Sequence, residues 1–409
     1  MNKKLIIILI SVLVVGAGLY LVGDYLGWWM PRVMEKGKVV VVDNGRQESD
    51  LTEAVTENLD VDQGEVAVVE YRVEEVARGL FVPWSIVFTS AERMLVTERD
   101  GKVRQVINDV LQDAPLHVFS EVSALEEEGL MGMTLDPDYE NNRFIYFCLA
   151  YPRGDEYVDK VVRWRDNIDS LGEETILIDD IPAAVYHAGC RVKFGPDQKL
   201  YITTGDATER YLAQDMNSLA GKILRINSDG SIPADNPFFG SPVWTLGHRN
   251  SQGIAWTKEG VMYETEHGPS GFDGPGGGDE INIIQAGQNY GWPFVSHEQS
   301  QEGLESPKLV FTPAEAPADI IYYNSDVILQ FNGNLFFGVL KGEGIIRIVL
   351  DPSDATNILE YEKMATVNVG RVREVALGPE GAIYFTTSNR DGRGTLREGD
   401  DRIYRIITN

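Results

Sequence analysis

The chain has 409 residues, with 36 Lys plus Arg against 63 Asp plus Glu, a formal charge of −27. That balance excludes a basic nucleic-acid binder, and 43% apolar with 24% charged residues is the mix of a packed protein with a large core, not of a disordered chain. Two cysteines, Cys148 and Cys190, exclude a disulfide-rich scaffold and a four-thiolate zinc site, and leave open either one bridge or two buried thiols.

The first element is apolar. After Lys3 and Lys4, the run from Leu5 to Val22 carries no charge, and Tyr25, Trp28 and Trp29 follow it. Such a run is just long enough to cross a bilayer core once the interfacial aromatics are counted. No Ala-x-Ala cleavage site stands here, so residues 1–30 read as a signal anchor in preference to a cleaved signal peptide. The leading lysines put the N-terminus in the cytoplasm and the body outside it, held to the membrane by this helix. Residues 31–67 form a linker, acidic from Asp43 to Glu65 and too poor in aromatics for a core of its own.

From residue 68 to 409 the apolar stretches are short, rich in Val, Ile, Tyr and Phe, and bounded by Gly, Pro, Asn or Asp. This is the pattern of strands and turns. A unit recurs: an apolar strand, a turn of the Pro-Asp or x-x-Gly kind, an aromatic-aliphatic strand, then often a basic strand. Its second strands are Arg93-Met-Leu-Val-Thr-Glu, Arg143-Phe-Ile-Tyr-Phe, Lys199-Leu-Tyr-Ile-Thr-Thr, Val261-Met-Tyr-Glu-Thr, Asn334-Leu-Phe-Phe-Gly and Ala382-Ile-Tyr-Phe-Thr-Thr. Six copies predict an all-β, six-bladed β-propeller, which a β-sandwich would not explain. The strand near Val68 to Val76 has no partners in its own unit and is placed to close the ring against the last blade.

Propellers bind ligands where loops from all blades converge on the axial channel. The candidate segments are 126–132, 186–191, Gly247-His-Arg-Asn-Ser-Gln-Gly, Glu266-His-Gly-Pro with Gly278-Asp-Glu-Ile-Asn, Leu340-Lys-Gly, and Gly370-Arg-Val-Arg. They bring one histidine, His187, together with Arg249, Lys341, Arg371 and Arg373. Cations kept in so acidic a chain point to a small polyanion, whose carboxylates guanidinium groups match. Taken singly, each has a plainer reading: a satisfied core histidine, a surface turn for Lys341, and a solvated strand face for the i, i+2 pair Arg371 and Arg373. Five histidines without His-x-x-x-His spacing argue against zinc.

The stretches Gly221-Lys-Ile-Leu-Arg-Ile-Asn-Ser-Asp-Gly-Ser-Ile-Pro-Ala-Asp-Asn-Pro-Phe, Leu246-Gly-His-Arg-Asn-Ser-Gln-Gly, and Asp279-Glu-Ile-Asn-Ile-Ile followed by Asn289-Tyr-Gly-Trp-Pro make the body, about residues 76 to 407, resemble the glucose/sorbosone dehydrogenase family. That family includes aldose dehydrogenases that use pyrroloquinoline quinone (PQQ) and calcium. The resemblance implies oxidation of an aldose at its anomeric carbon to the lactone, with electrons passing on to an acceptor the sequence does not identify. By motif, it implies His187 as general base, a role suited to imidazole. Arg249 and Asn250 would touch the quinone oxygens, and Lys341, Arg371 and Arg373 would hold PQQ. The Gly268 and Pro269 carbonyls would bind calcium, a cation that prefers oxygen ligands. Three departures accompany it. Glu127 and Glu128 stand where an amide usually meets the cofactor, and a carboxylate there is expected to weaken binding of an anion. Tyr186 replaces an Asp that supports the histidine in some members, and Phe311-Thr-Pro-Ala-Glu-Ala-Pro replaces a Trp-Pro-Thr group lining the pocket. Two other readings are a non-catalytic binding propeller similar to the hedgehog-interacting proteins, and a calcium-dependent lactonase, which the arginines fit poorly.

Overall fold

The computed structural model describes residues 69–409. The apolar segment 1–30 and the linker 31–67, with the membrane attachment they imply, lie outside those residues. Among the described residues, no helix is long and apolar enough to cross a membrane.

The chain enters on β1 (Tyr71–Arg78) and then lays down six antiparallel sheets in chain order. The first holds β2 (Pro83–Ser90), β3 (Arg93–Glu98), β4 (Lys102–Ile107) and β5 (Val110–Leu111), with β6 (His117–Val118) also on β4. The second holds β7 (Leu130–Leu135), β8 (Phe144–Arg153), β9 (Glu156–Asp166) and β10 (Leu171–Ala183). The third holds β11 (Gly189–Phe194), β12 (Leu200–Thr204), β13 (Lys222–Ile226) and β14 (Val243–Leu246). The fourth holds β15 (Ser251–Trp256), β16 (Met262–Glu266), β17 (Asp279–Ile284) and β18 (Leu309–Phe311). The fifth holds β19 (Pro317–Tyr323), β20 (Asn334–Val339), β21 (Gly344–Asp351) and β22 (Asp354–Lys363). The sixth holds β23 (Val372–Leu377), β24 (Ile383–Thr387) and β25 (Arg402–Thr408), completed by β1, which pairs with β25 from Tyr71 opposite Thr408.

The first strands of the sheets touch in sequence, β2 on β7, β7 on β11, β11 on β15, β15 on β19, β19 on β23, and β23 again on β2. This is the closed ring of a six-bladed propeller, and β1 closes it as the sequence suggested. Radial closure leaves each blade only its outermost strand as an edge. The core is divided accordingly into six apolar clusters, one between each pair of neighbouring sheets. A blade is therefore buried on both faces, and inner stretches such as Met94-Leu-Val are apolar without alternation.

One irregularity recurs on every blade. Each innermost strand shifts register close to its first residue, at Pro83/Ser85, Leu130/Met133, Gly189/Val192, Ser251/Gly253, Pro317/Ile320 and Val372/Val375. A bulge re-aims side chains and ends regular pairing. All six bulges lie at the same mouth of the axial channel, which is where the candidate site forms. The two cysteines are joined, Cys148 on β8 to Cys190 on β11, which settles the alternative left open above.

Candidate active site

At that mouth lies a cavity of about 640 Å³. Glu127, His187, Gly268, Pro269, Lys341, Arg371 and Arg373 all line it, although they come from five different blades. Arg249 and Asn250 do not. Arg249 is buried behind the wall, and Asn250 spends its side-chain oxygen on the Gly189 N–H (3.2 Å) and the Gln252 amide (3.1 Å). Asn250 thus shapes the backbone beneath His187, and contact with a quinone oxygen would require it to leave those partners.

His187 is held at both ring nitrogens. Nδ1 lies 2.7 Å from Asp206 Oδ1, and Nε2 lies 2.8 Å from Arg249 Nη2. A guanidinium can only donate, so Nε2 accepts and the proton sits on Nδ1, facing the carboxylate. Asp206 is fixed in turn by the Trp292 indole N–H at 2.8 Å and the Thr208 N–H at 2.8 Å. The support expected at position 186 thus comes from Asp206, just beyond β12, while Tyr186 lines the cavity with the Arg393 guanidinium over its ring. Gly205 makes the close approach possible: a Cβ there would lie 1.7 Å from the His187 carbonyl oxygen. Arg249 is shared among His187, Asp273 (2.7 Å), the His267 carbonyl (3.1 Å) and Ser270 Oγ (3.1 Å).

Arg371 and Arg373 are 7% and 6% exposed, which rules out the solvated strand face. Both project from the start of β23 toward the channel, but they differ. Arg371 donates to Asp391 at 2.8 Å and to the Leu340 carbonyl at 3.0 Å. Arg373 makes only long hydrogen bonds, 3.5 Å to Ser388 Oγ and 3.5 Å to Gln252 Oε1, and its burial lowers its pKa to about 10. It remains charged at neutral pH and is poorly compensated, which an anion in the cavity would relieve.

Glu127 does not present a bare negative charge. Burial disfavours its ionisation, but Arg393 at 2.7 Å, the positive surroundings and the His187 N–H at 3.1 Å outweigh that and hold its pKa at about 2. Glu127 is therefore ion-paired with Arg393 and does not face the cavity as a lone carboxylate. Because the folded pKa is depressed, the pair's contribution to stability is present above the ordinary carboxyl range and is lost as the pH falls toward 2. Glu127→Gln should remove that acid-sensitive component, visible as a shallower fall in thermal midpoint between pH 4.5 and 2 than in the parent.

Glu128 is different: wholly buried, outside the cavity, with neither carboxyl oxygen hydrogen-bonded, and raised by desolvation to about 7. A raised carboxyl stabilises the fold below its unfolded pKa, and that contribution is lost as the pH climbs through 7. Glu128→Gln is therefore expected to raise the melting temperature by about 2–4 °C at pH 8 and by less at pH 5, in a calorimetric scan.

Between β16 and β17 the chain folds back on itself. A Cβ on Gly268 would lie 2.2 Å from the Gly278 carbonyl oxygen and 2.3 Å from that of Gly277, so only glycine permits the approach. Gly268 N–H donates to Asp279 at 2.8 Å, and Asp279 also accepts from Ala316 N–H at 2.6 Å. The turn is tightly packed and brings carbonyl oxygens together, the donor type a hard cation uses.

The family model described as Glucose / Sorbosone dehydrogenase matches residues 80–403. The chain belongs to the glucose/sorbosone dehydrogenase family. It is 30% identical over 347 residues to the aldose sugar dehydrogenase of Escherichia coli, covering 78% of this chain and 91% of that one. Among solved structures, a putative glucose dehydrogenase from Thermus thermophilus is 38% identical, with a TM-score of 0.76 over 82% of this chain and all of that one. The PQQ-bound aldose sugar dehydrogenase of Streptomyces coelicolor is 32% identical, with a TM-score of 0.73 over 83% of this chain and 99% of that one.

Several residues that complete the site in this family member escaped the sequence reading. Asp206, Trp292, Asp273 and Asp391 are acceptors or donors that fix the chemical groups, and Arg393 neutralises Glu127. One signal was available: Asp206 follows Thr203-Thr-Gly at the end of a strand predicted to finish at the channel mouth. Arg393 sits in a polar loop with nothing to distinguish it from a solvated charge.

Proposed function

We propose that the protein is a PQQ- and calcium-dependent dehydrogenase that oxidises aldoses at the anomeric carbon to lactones, outside the cytoplasm. The observation that carries this reading is Arg373, a buried and poorly partnered cation facing the same cavity as His187, with Lys341 on the rim. A tricarboxylic quinone has the charge that cluster lacks.

In this reading Arg373, Lys341 and Arg371 would hold the cofactor, Arg249 would lie near its quinone oxygens, and the Gly268 and Pro269 carbonyls would face calcium. PQQ would supply the two-electron acceptor that takes the hydride from the sugar. The chain's own part is proton handling and exclusion of water. His187 would receive the proton of the anomeric hydroxyl at Nε2, which requires the Arg249 N–H, 2.8 Å away, to turn from that lone pair. Asp206, across the ring at 2.7 Å, then faces an imidazolium and stabilises it, and Trp292 keeps the carboxylate in place. Phe272, stacked at 5.9 Å against His187, covers the outer side of the base. Electrons would pass on to a final acceptor, and residues 1–30 would keep the enzyme at the membrane.

The test is reconstitution of the full chain with PQQ and calcium while the visible spectrum is followed as glucose is added. Bleaching of the oxidised quinone coupled to dye reduction is the expected result. Failure to bind PQQ at micromolar concentration with calcium in excess would leave the binding-propeller reading.

A further inference from the structure

The Cys148–Cys190 bridge crosses from the second blade to the third, entering β11 directly after His187, Ala188 and Gly189. Both cysteines are fully buried, yet Gly189 lines the large cavity, so only one residue of backbone separates its floor from Cys190. Beside the sulfurs lies a carboxyl with no role in the site. Asp159, on β9 opposite Ala150 of β8, has a carboxyl oxygen within 4.8 Å of both sulfurs. Neither of its oxygens has a hydrogen-bond partner, and its surroundings are the apolar cluster of Ala150, Val161, Ile181 and Ala188.

An acid so placed is costly, and a plain apolar residue would pack there at lower cost. The titratable group facing it is Glu128, itself buried and unpartnered, and β10 offers only Ile181. Its chain neighbour Lys160 turns away toward Glu121 and Glu174. Burial, with Glu128 adding repulsion, holds Asp159 well above the carboxyl range. Its protonated form is favoured, and neither oxygen has a partner beside the disulfide.

We propose that the Cys148–Cys190 bridge is a redox-responsive latch on the approach to His187, with Asp159 delivering the proton that its departing sulfur needs. A thiolate of a dithiol reductant attacks one sulfur, the Cys148–Cys190 bond breaks, and a mixed disulfide forms. The departing sulfur would be a thiolate in an apolar core, and it takes the Asp159 proton. The reductant's second thiol then attacks the mixed disulfide. It leaves as a cyclic disulfide, and its proton, with the one lost on forming the first thiolate, restores Asp159 and the second cysteine. In sum, one dithiol is oxidised and two cysteine thiols are made. With the tie gone, Cys190 is free to move with Gly189, whose N–H and carbonyl hold Asn250 and Gln252 beneath His187.

The experiment uses the full chain without cofactor, so it stands apart from the dehydrogenase reading. Dithiothreitol is added, thiols are counted by alkylation and mass, and the parent is compared with Asp159→Asn and Asp159→Ala from neutral to alkaline pH. Both variants should open about tenfold or more slowly at pH 7, a modest share of what a positioned acid contributes. The ratio should shrink as rising pH removes the Asp159 proton. Hydrogen exchange over residues 186–191 should rise on reduction while the other blades keep their protection. Equal rates in parent and both variants would overturn the proton role. Unchanged exchange at 186–191, or loss of protection throughout, would reduce the bridge to a staple. Two thiols present before reductant, or release of one zinc per chain, would overturn the latch and make Cys148, Cys190 and Asp159 metal ligands.

Discussion

His187→Ala is expected to lower turnover by about two to four orders of magnitude, the range typical of a lost general base, while the PQQ concentration needed for half-reconstitution stays within a few-fold. The separation follows from the geometry. His187 lines the cavity from the loop before β11, whereas Lys341, Arg371 and Arg373, which would grip the cofactor, lie on the fifth and sixth blades. The fold should tolerate the change, since Arg249 keeps Asp273, Ser270 and the His267 carbonyl after losing the imidazole. Asp206→Asn should give a smaller loss in kcat at unchanged cofactor affinity, because the Asn oxygen still orients Nδ1–H but no longer opposes the charge gained at Nε2. Steady-state dye reduction at saturating PQQ and calcium measures both. Turnover near the parent's in His187→Ala would remove the base from the proposed chemistry.

Arg373→Met should raise the PQQ requirement about 10- to 100-fold, as expected for losing one charge-assisted contact, with little change in kcat once the site is saturated. Methionine keeps much of the volume, so the comparison isolates the charge. Arg371→Met is the informative control. It leaves Asp391 without its guanidinium in the interior, so its first effect should be a lower melting temperature. Titration of apoprotein, read by fluorescence quenching, separates the two. An unchanged PQQ titration in Arg373→Met would mean that the cluster serves the fold alone.

These expectations show how far local sequence reaches. Gly-Pro-Asp at 195–197 and Gly-Pro-Glu at 378–380 open equivalent turns, which end on Gln198 at φ 60° and Gly381 at φ 84°. The chemistry of such a turn is local, so the unit could be counted from the chain alone. His187, Lys341, Arg371 and Arg373 were equally visible, because each lies in a loop whose position on a blade follows from that count. Asp206 carried only the faint signal of a strand end at the mouth, 19 residues from His187, and Arg393 carried none, since it matters through Glu127, 266 residues away.

Sequence by itself therefore determined the all-β repeat, the number of blades, the closure by β1 and the loops that meet at one mouth, since strand periodicity and turn chemistry act over a few residues. Only the tertiary structure decided which charges are spent on one another. Arg371 is paired and Arg373 is nearly free, although they are two residues apart at the start of β23; Glu127 is neutralised and Glu128 is stranded, although they are adjacent. Successive positions on a bulged strand end face different surroundings, and the energy of a buried charge depends on what lies within a few ångströms in space.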